Sequence, residues 1–505
     1  MTFISMTFIT IISTVFKPSL RWVAILLPFL MYAAPVLVVA QPATKAGTET
    51  ELSLPPVFTD HMVLQRDQDI PVWGKGQPGR DVSVSLNNES AVDTTVLANG
   101  RWQVMLPAKN AGGPYVLTVQ SEAERIEFKD VFLGDVWLMA GQSNMAFRFR
   151  HSALAEQQVA IASLPNLRIR LLEVPKVVSG GKRQERPPKP WQVASASAVS
   201  NWSAVALHFA LGLQPTLKDE SSSPVAVGMI NSSQGASLVE AWMTPESLEL
   251  AGGETPQVFT DIRRYYRNPS VLQKTMLASV QPYAVKGVVW YQGESNAARA
   301  GYYEKRLSAM ITGWRSLWQT PDLPFLVVQL PIYQPPNDSS NTKWAELRSA
   351  QAAATRSTPN AWLSVTIDTG DKDDVHPVEK KAVGDRLAQL ARAMVYGHAV
   401  PYRGPEPSVI SYRGNRAEVS FRYADGGLSV VGNEPPAALS VLGSDDHWQR
   451  AEASVEGNIL VVQHPQGQPI SGVRHAWSNA PTVNLYNAQG FPVEPFEDRQ
   501  PRPNH

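Results

Sequence analysis

The chain has 505 residues, room for roughly two to four domains, and its 43% hydrophobic and 18% charged residues are those of a globular protein. Lys plus Arg and Asp plus Glu both number 45, so the formal charge is zero, which argues against a broad nucleic-acid surface. There is no cysteine, which excludes disulfides and thiolate metal sites.

Residues 1–40 read as a signal peptide. Lys17 and Arg21 precede the apolar run from Trp22 to Met31, which continues to small residues at Val38-Val39-Ala40 ahead of Gln41. Cleavage there predicts a secreted or periplasmic protein with no stable membrane span, whereas an uncleaved leader would be an anchor. Residues 41–50 read as a tether. The stretch 41–130 is expected to be an N-terminal β-sandwich-like domain: Val82, Val84 and Leu86 alternate with Ser83 and Ser85, and Asn99-Gly100 is a hairpin signal before Trp102–Leu106.

Residues 131–400 change to alternating strands and helices, the pattern of an α/β domain with a parallel, doubly wound sheet. Asp135–Ala140 is an apolar strand that stops at Gly141 and presents Ser143 between Gln142 and Asn144. Val225–Ile230, Gly287–Tyr291, Phe325–Leu330 and Trp362–Ile367 read as strands covered on both faces. Trp344–Ala354 is a helix former, and Val383, Leu387, Leu390, Ala391 and Met394 recur at helical spacing. The Pro-rich basic stretch 180–190 reads as a surface loop. The region 401–505 returns to β texture, with a polar, frayed tail after Phe496.

Each core strand is followed by a polar turn, and in this architecture those turns share the rim where ligands bind. Ser143 is a candidate nucleophile. A serine needs a base, and His376 is the best of the nine histidines, since it follows a core strand amid carboxylates. A carboxylate orients such a base: Asp373 is the first candidate, Asp374 its rival, Asp371 more distant. Gly235 lacks a side chain, so its backbone N–H can approach an oxyanion, and Gln292 or Asn296 can offer an amide. Asp368, Asp371, Asp373 and Asp374 could instead hold calcium, but their spacing is not that of an EF-hand. No metal or other cofactor is expected.

These residues resemble the sialate O-acetylesterase family of the SGNH/GDSL hydrolase superfamily. Gly141-Gln142-Ser143-Asn144-Met145, Trp290-Tyr291-Gln292-Gly293-Glu294-Ser295-Asn296 and Asp373-Asp374-Val375-His376-Pro377 are similar to its blocks, as is Asn231–Ser237 with Glu240–Met243. Phe58–Arg66 resembles its N-terminal β region, and Ala476–Pro481 with Asn484–Asn487 its C-terminal end. The resemblance implies a flavodoxin-like SGNH-hydrolase core flanked by N-terminal and C-terminal β domains. It implies an exported serine esterase acting on O-acetylated sialic acid through an acetyl-serine intermediate, with Ser143 and His376 as nucleophile and base and an oxyanion hole at Ser143 and Gly235. Acetylated xylan or another acetylated carbohydrate is the alternative substrate, and an inactive carbohydrate-binding protein the alternative class. A sialic acid carries a carboxylate, for which Arg348 is the first candidate partner, with Arg148 and Arg299 beside two of the turns.

Overall fold

The structure is a computed structural model that describes residues 51–500, except 88, 123, 165–166, 177–188, 220 and 255. The predicted leader and tether, and most of the loop expected over 180–190, lie outside the described residues.

The N-terminal strands are β1 (Val63–Gln65), β2 (Ile70–Lys75), β3 (Asp81–Leu86), β4 (Val92–Thr95), β5 (Arg101–Leu106), β6 (Gly112–Ser121) and β7 (Glu124–Gly141). β3 buries Val82, Val84 and Leu86 and turns the intervening serines outward, as its alternation predicts. β7 organises the molecule. Its first half pairs antiparallel with β6, and its second half is the apolar run that ends at Gly141. It crosses residue 130 without a break, so the N-terminal β region and the α/β region share one sheet. One hydrophobic core likewise extends from Leu52 through Val82 and Trp137 to Ala391.

Beyond β7 follow β8 (Ile169–Glu173), β9 (Gln192–Val193), β10 (Ala226–Ser233), β11 (Gly287–Tyr291), β12 (Phe325–Val328) and β13 (Ala361–Ser364). They lie in the order β13-β12-β11-β7-β10-β8-β9, all parallel except β9. β10, β11 and β12 are buried along their whole length, which is why they read as unbroken apolar runs. Counted from β7 along the chain and leaving out β9, the order is 2-3-1-4-5-6. The flavodoxin-like order is 2-1-3-4-5. The difference is β10, which pairs with both β7 and β8 and so sits between strands that are adjacent in the flavodoxin-like arrangement.

The helices form two packed groups. Ala204–Leu213 packs on Lys381–Met394, and Tyr303–Trp318 packs on Lys343–Ser357 and Pro245–Ala251. The first pair approaches closely at Gly384, where a Cβ would come within 2.4 Å of the His208 Cβ. Among the described residues no helix is long and apolar enough to cross a membrane.

The C-terminal region has its own core, including Val419, Val441, Leu460 and Val473. Antiparallel sheets surround it, among them Glu406–Arg413, Arg416–Arg422, Ile459–Gln463 and Glu452–Glu456. The first residues after Phe496 are not frayed: Phe496–Arg499 pairs with Gly472–His475, and residues 501–505 of the expected tail lie outside the described residues. Phe496 is itself buried in that core, which holds the polar residues after it in register.

Candidate active site

The rim is built from backbone close approach. Gly141 ends β7 at φ 142°, a conformation that favours glycine. A Cβ there would lie 2.0 Å from the Tyr291 carbonyl oxygen. The Gln142 N–H donates to that same oxygen at 3.0 Å, and the Gln234 N–H donates to the Gly141 oxygen at 3.0 Å. The turns after β7, β10 and β11 are thus bonded to one another at the C-terminal edge of the parallel sheet. Ser143 is left half-buried at this edge. Gly235 stands against it, since a Cβ on Gly235 would lie 3.6 Å from the Ser143 Cβ.

The turn carrying His376 is joined to this rim through Asn144. The Asn144 Nδ2 donates to the Val375 oxygen at 2.9 Å and to Glu294 Oε1 at 2.7 Å. Its Oδ1 accepts from Lys380 Nζ at 2.8 Å. Ser143 and His376 therefore sit on adjoining turns, one residue from each end of the Asn144–Val375 bond. Their side chains make no direct hydrogen bond in the structure, and such bonds commonly tighten only around substrate. His376 is half-buried, and burial is the main influence lowering its imidazole below the ordinary value of 6.5. The Asp374 carboxylate acts against that lowering, and Lys380 acts with it.

The structure distributes the aspartates differently from the expectation. Asp373, first choice as orienter, has a 76% exposed side chain that pairs with Lys372 at 2.9 Å. Asp374 is the carboxylate beside His376: its Oδ1 accepts the His376 backbone N–H at 2.8 Å. Asp371 accepts the Asp373 N–H, and Asp368 is held by both terminal nitrogens of Arg386 at 2.6 and 2.7 Å. The four acids do not converge, and among the described residues no three His, Asp or Glu side chains are grouped to hold a metal.

The two candidate amides lie beneath the rim. Gln292 Nε2 faces Gln142 Oε1, the Ser237 oxygen and Asn296 Oδ1 at 2.8–3.1 Å. Asn296 Nδ2 donates to Glu240 Oε2 at 2.9 Å, and its Oδ1 also accepts the Val239 N–H. Both side chains are buried and brace the turns.

Arg348 is not at the rim. It is 0% exposed and donates to the backbone oxygens of Asn479 at 3.1 Å, Ala476 at 3.4 Å and Ser478. Burial pushes its guanidinium down to about 9. It was misplaced because the loop that covers its helix face comes from a stretch more than a hundred residues downstream. Arg299 is tied to buried Glu240 at 3.0 Å. Arg148 is exposed on the stretch after Ser143, beside the buried carboxylate of Glu173 and the Lys176 amine.

Sequence reasoning missed Asn144, Glu294 and Lys380 as parts of the site. The signal was available: Asn144 adjoins Ser143, and Lys380 is a charged residue at the start of an apolar helix face close after His376.

Residues 133–394 match a family model described as carbohydrate esterase, sialic acid-specific acetylesterase. The chain is 29% identical over 490 residues to the sialate O-acetylesterase of Homo sapiens, covering 87% of this chain and 91% of that one. It is 26% identical over 533 residues to the sialate O-acetylesterase of Mus musculus, covering 91% and 96%. It is similar to the crystal structure of a carbohydrate acetylesterase from Xanthomonas citri, with TM-score 0.79 and 34% identity over 89% of this chain and 99% of that one.

Proposed function

The chain belongs to the sialic acid-specific acetylesterase family of carbohydrate esterases and is a carboxylic ester hydrolase, and on that premise we propose that it removes O-acetyl groups from sialic acids through an acetyl-serine intermediate. Ser143 Oγ attacks the acetyl carbonyl while His376 takes its proton. The N–H groups of Ser143 and Gly235 face the oxyanion of the tetrahedral intermediate. His376 returns the proton to the sugar oxygen, which leaves. Water, activated by His376, then attacks the acetyl-enzyme, and acetate departs as Ser143 regains its proton. Asp374 supports the imidazolium formed in both halves. The core that carries this chemistry is read as of SGNH type. The protein is read as exported once a leader of residues 1–40 is removed, with β regions over 41–130 and 401–505 flanking the esterase region 131–400.

The observation that carries this reading is the meeting of Ser143, Gly235 and the His376 turn at one edge of the sheet, joined by Asn144. For a sialic acid carboxylate, Arg148 takes the role expected of Arg348, because it is exposed on the stretch that follows Ser143 and Arg348 is buried. A second reading, another acetylated carbohydrate such as xylan, is favoured by the 34% identity to a protein described only as a carbohydrate acetylesterase.

The test is acetate release from O-acetylated sialic acids and from acetylated xylan, with p-nitrophenyl acetate as the common reference. Preference for the sialic acids, with Arg148→Ala raising their KM about tenfold and leaving p-nitrophenyl acetate unaffected, supports the first reading. Preference for xylan, unaffected by Arg148→Ala, replaces it with the second.

A further inference from the structure

Behind the two catalytic turns lies a buried charged cluster that the proposed reaction does not use. Lys380 immediately precedes the helix Lys381–Met394 and is fully buried. Its ammonium donates to Asn144 Oδ1 at 2.8 Å and lies 4.8 Å from the centre of the Phe147 ring. The amide of Asn144 passes the contact on in two directions: to the Val375 carbonyl, one residue before His376, and to the buried carboxylate of Glu294. The Lys380 backbone N–H is held in turn by Glu156 Oε2 at 3.0 Å, from the helix Leu154–Ser163. An ammonium with no exposed surface is costly to bury unless it is paired and hydrogen-bonded, and this one is placed against a single amide that touches both turns.

We propose that Lys380 is a positioning residue: by fixing the Asn144 amide, it sets the nucleophile turn at Ser143 against the base turn at Val375-His376, and it places a buried amine four residues after His376. This rests on the reading of Ser143 and His376 as nucleophile and base. Glu294 anchors the other side of the same amide, so the Lys380 amine and the Glu294 carboxyl group hold one Asn between them.

The electrostatics agree with the geometry. The charged groups acting on His376 are Asp374, on its own turn, and Lys380. Those acting on Lys380 are Glu294 after β11, Glu156 from the helix Leu154–Ser163, and Asp374. Glu156 also lies 3.6 Å from His208 Nε2, and its Oε1 accepts the Lys381 N–H. Burial pushes the Lys380 ammonium down to about 7, against the pull of those three carboxylates. Below that value it is charged, so over the range where His376 titrates, Lys380 opposes the imidazolium and keeps the base free to accept a proton.

The experiment compares the parent, Lys380→Met, Lys380→Arg and Ser143→Ala with p-nitrophenyl acetate, with the imidazole titration of His376 read by NMR in the Ser143→Ala background. Lys380→Met is expected to lower kcat by about tenfold or more with KM within about twofold. In Ser143→Ala, adding Lys380→Met is expected to raise the His376 pKa by roughly half a unit or more. Lys380→Arg, which keeps the charge and a donor, is expected to recover most of kcat. A folded Lys380→Met with parent-like kcat and an unmoved titration overturns the proposal. Lost kcat with an unmoved titration overturns it too, since Lys380 then only supports the fold. If Lys380→Met does not fold, Asn144→Ala is read in the same way: a kcat loss at constant KM with a shifted His376 titration supports the proposal, and parent-like kcat or an unmoved titration overturns it. An active Ser143→Ala would instead remove the nucleophile assignment on which the proposal rests.

Discussion

At the scale of single residues the turn carrying His376 makes the sharpest demand. Asp374 is bonded to the His376 backbone and acts on its ring, while Asp373 points to solvent with Lys372. Asp374→Asn should therefore cost at least about tenfold more kcat/KM than Asp373→Asn, measured side by side on one substrate. The sign of the pH effect follows from the same contacts. Burial holds His376 below 6.5, so the acid limb of kcat/KM should fall below that value. Asp374→Asn removes the charge that favours the imidazolium and should move the limb lower still. A limb that moved upward would mean that Asp374 does not act on His376.

The Ser143, Gly235 and His376 positions were legible in the sequence because each is a local feature: a strand end, a glycine in a polar turn, a histidine after a core strand. The partners of Gln292, Asn296 and Arg348 were not. Whether an amide is a free donor or a brace depends on Gln142, Ser237 and Glu240, which arrive from other turns. Side-chain type says nothing of that.

At the scale of elements, the end of β7 is the part least able to change. Gly141 combines a positive φ with contact against the Tyr291 carbonyl. Gly141→Ala should destabilise the protein by on the order of 3 kcal/mol, read as a lowered urea midpoint. It should also depress kcat, because the strain falls on the residue that leads into Ser143. A midpoint within experimental scatter of the parent would show that the turn has more slack than the contact implies. The core strands were legible as unbroken apolar runs, and the helices Lys343–Ser357 and Lys381–Met394 because their burial follows the helical period. The pairing order was less so. Nothing in the sequence of β10 says that it inserts between β7 and β8, since a strand buried on both faces has no face that names its neighbour.

At the scale of the whole molecule, the described chain from Leu52 onward is joined at both ends to the esterase core. β7 carries the N-terminal β region into the parallel sheet. Arg348 fastens the C-terminal region by its carbonyls at Ala476, Ser478 and Asn479. Arg348→Met should cost roughly 2–4 kcal/mol of stability, because buried carbonyl oxygens lose their donor, and it should lower activity equally on acetylated sialic acid and on p-nitrophenyl acetate. A selective rise in KM for the sialic acid alone would return Arg348 to the substrate. On the proposed leader over residues 1–40, mass spectrometry of the mature protein should read an N-terminus near Gln41. The measurement that bears most directly on the central claim is acetate release from an O-acetylated sialic acid by the parent and by Ser143→Ala, with folding of both checked by urea denaturation. The account predicts a stable Ser143→Ala protein whose kcat is lower by about a thousandfold or more. A folded Ser143→Ala enzyme that still releases acetate at close to the parental rate would contradict it.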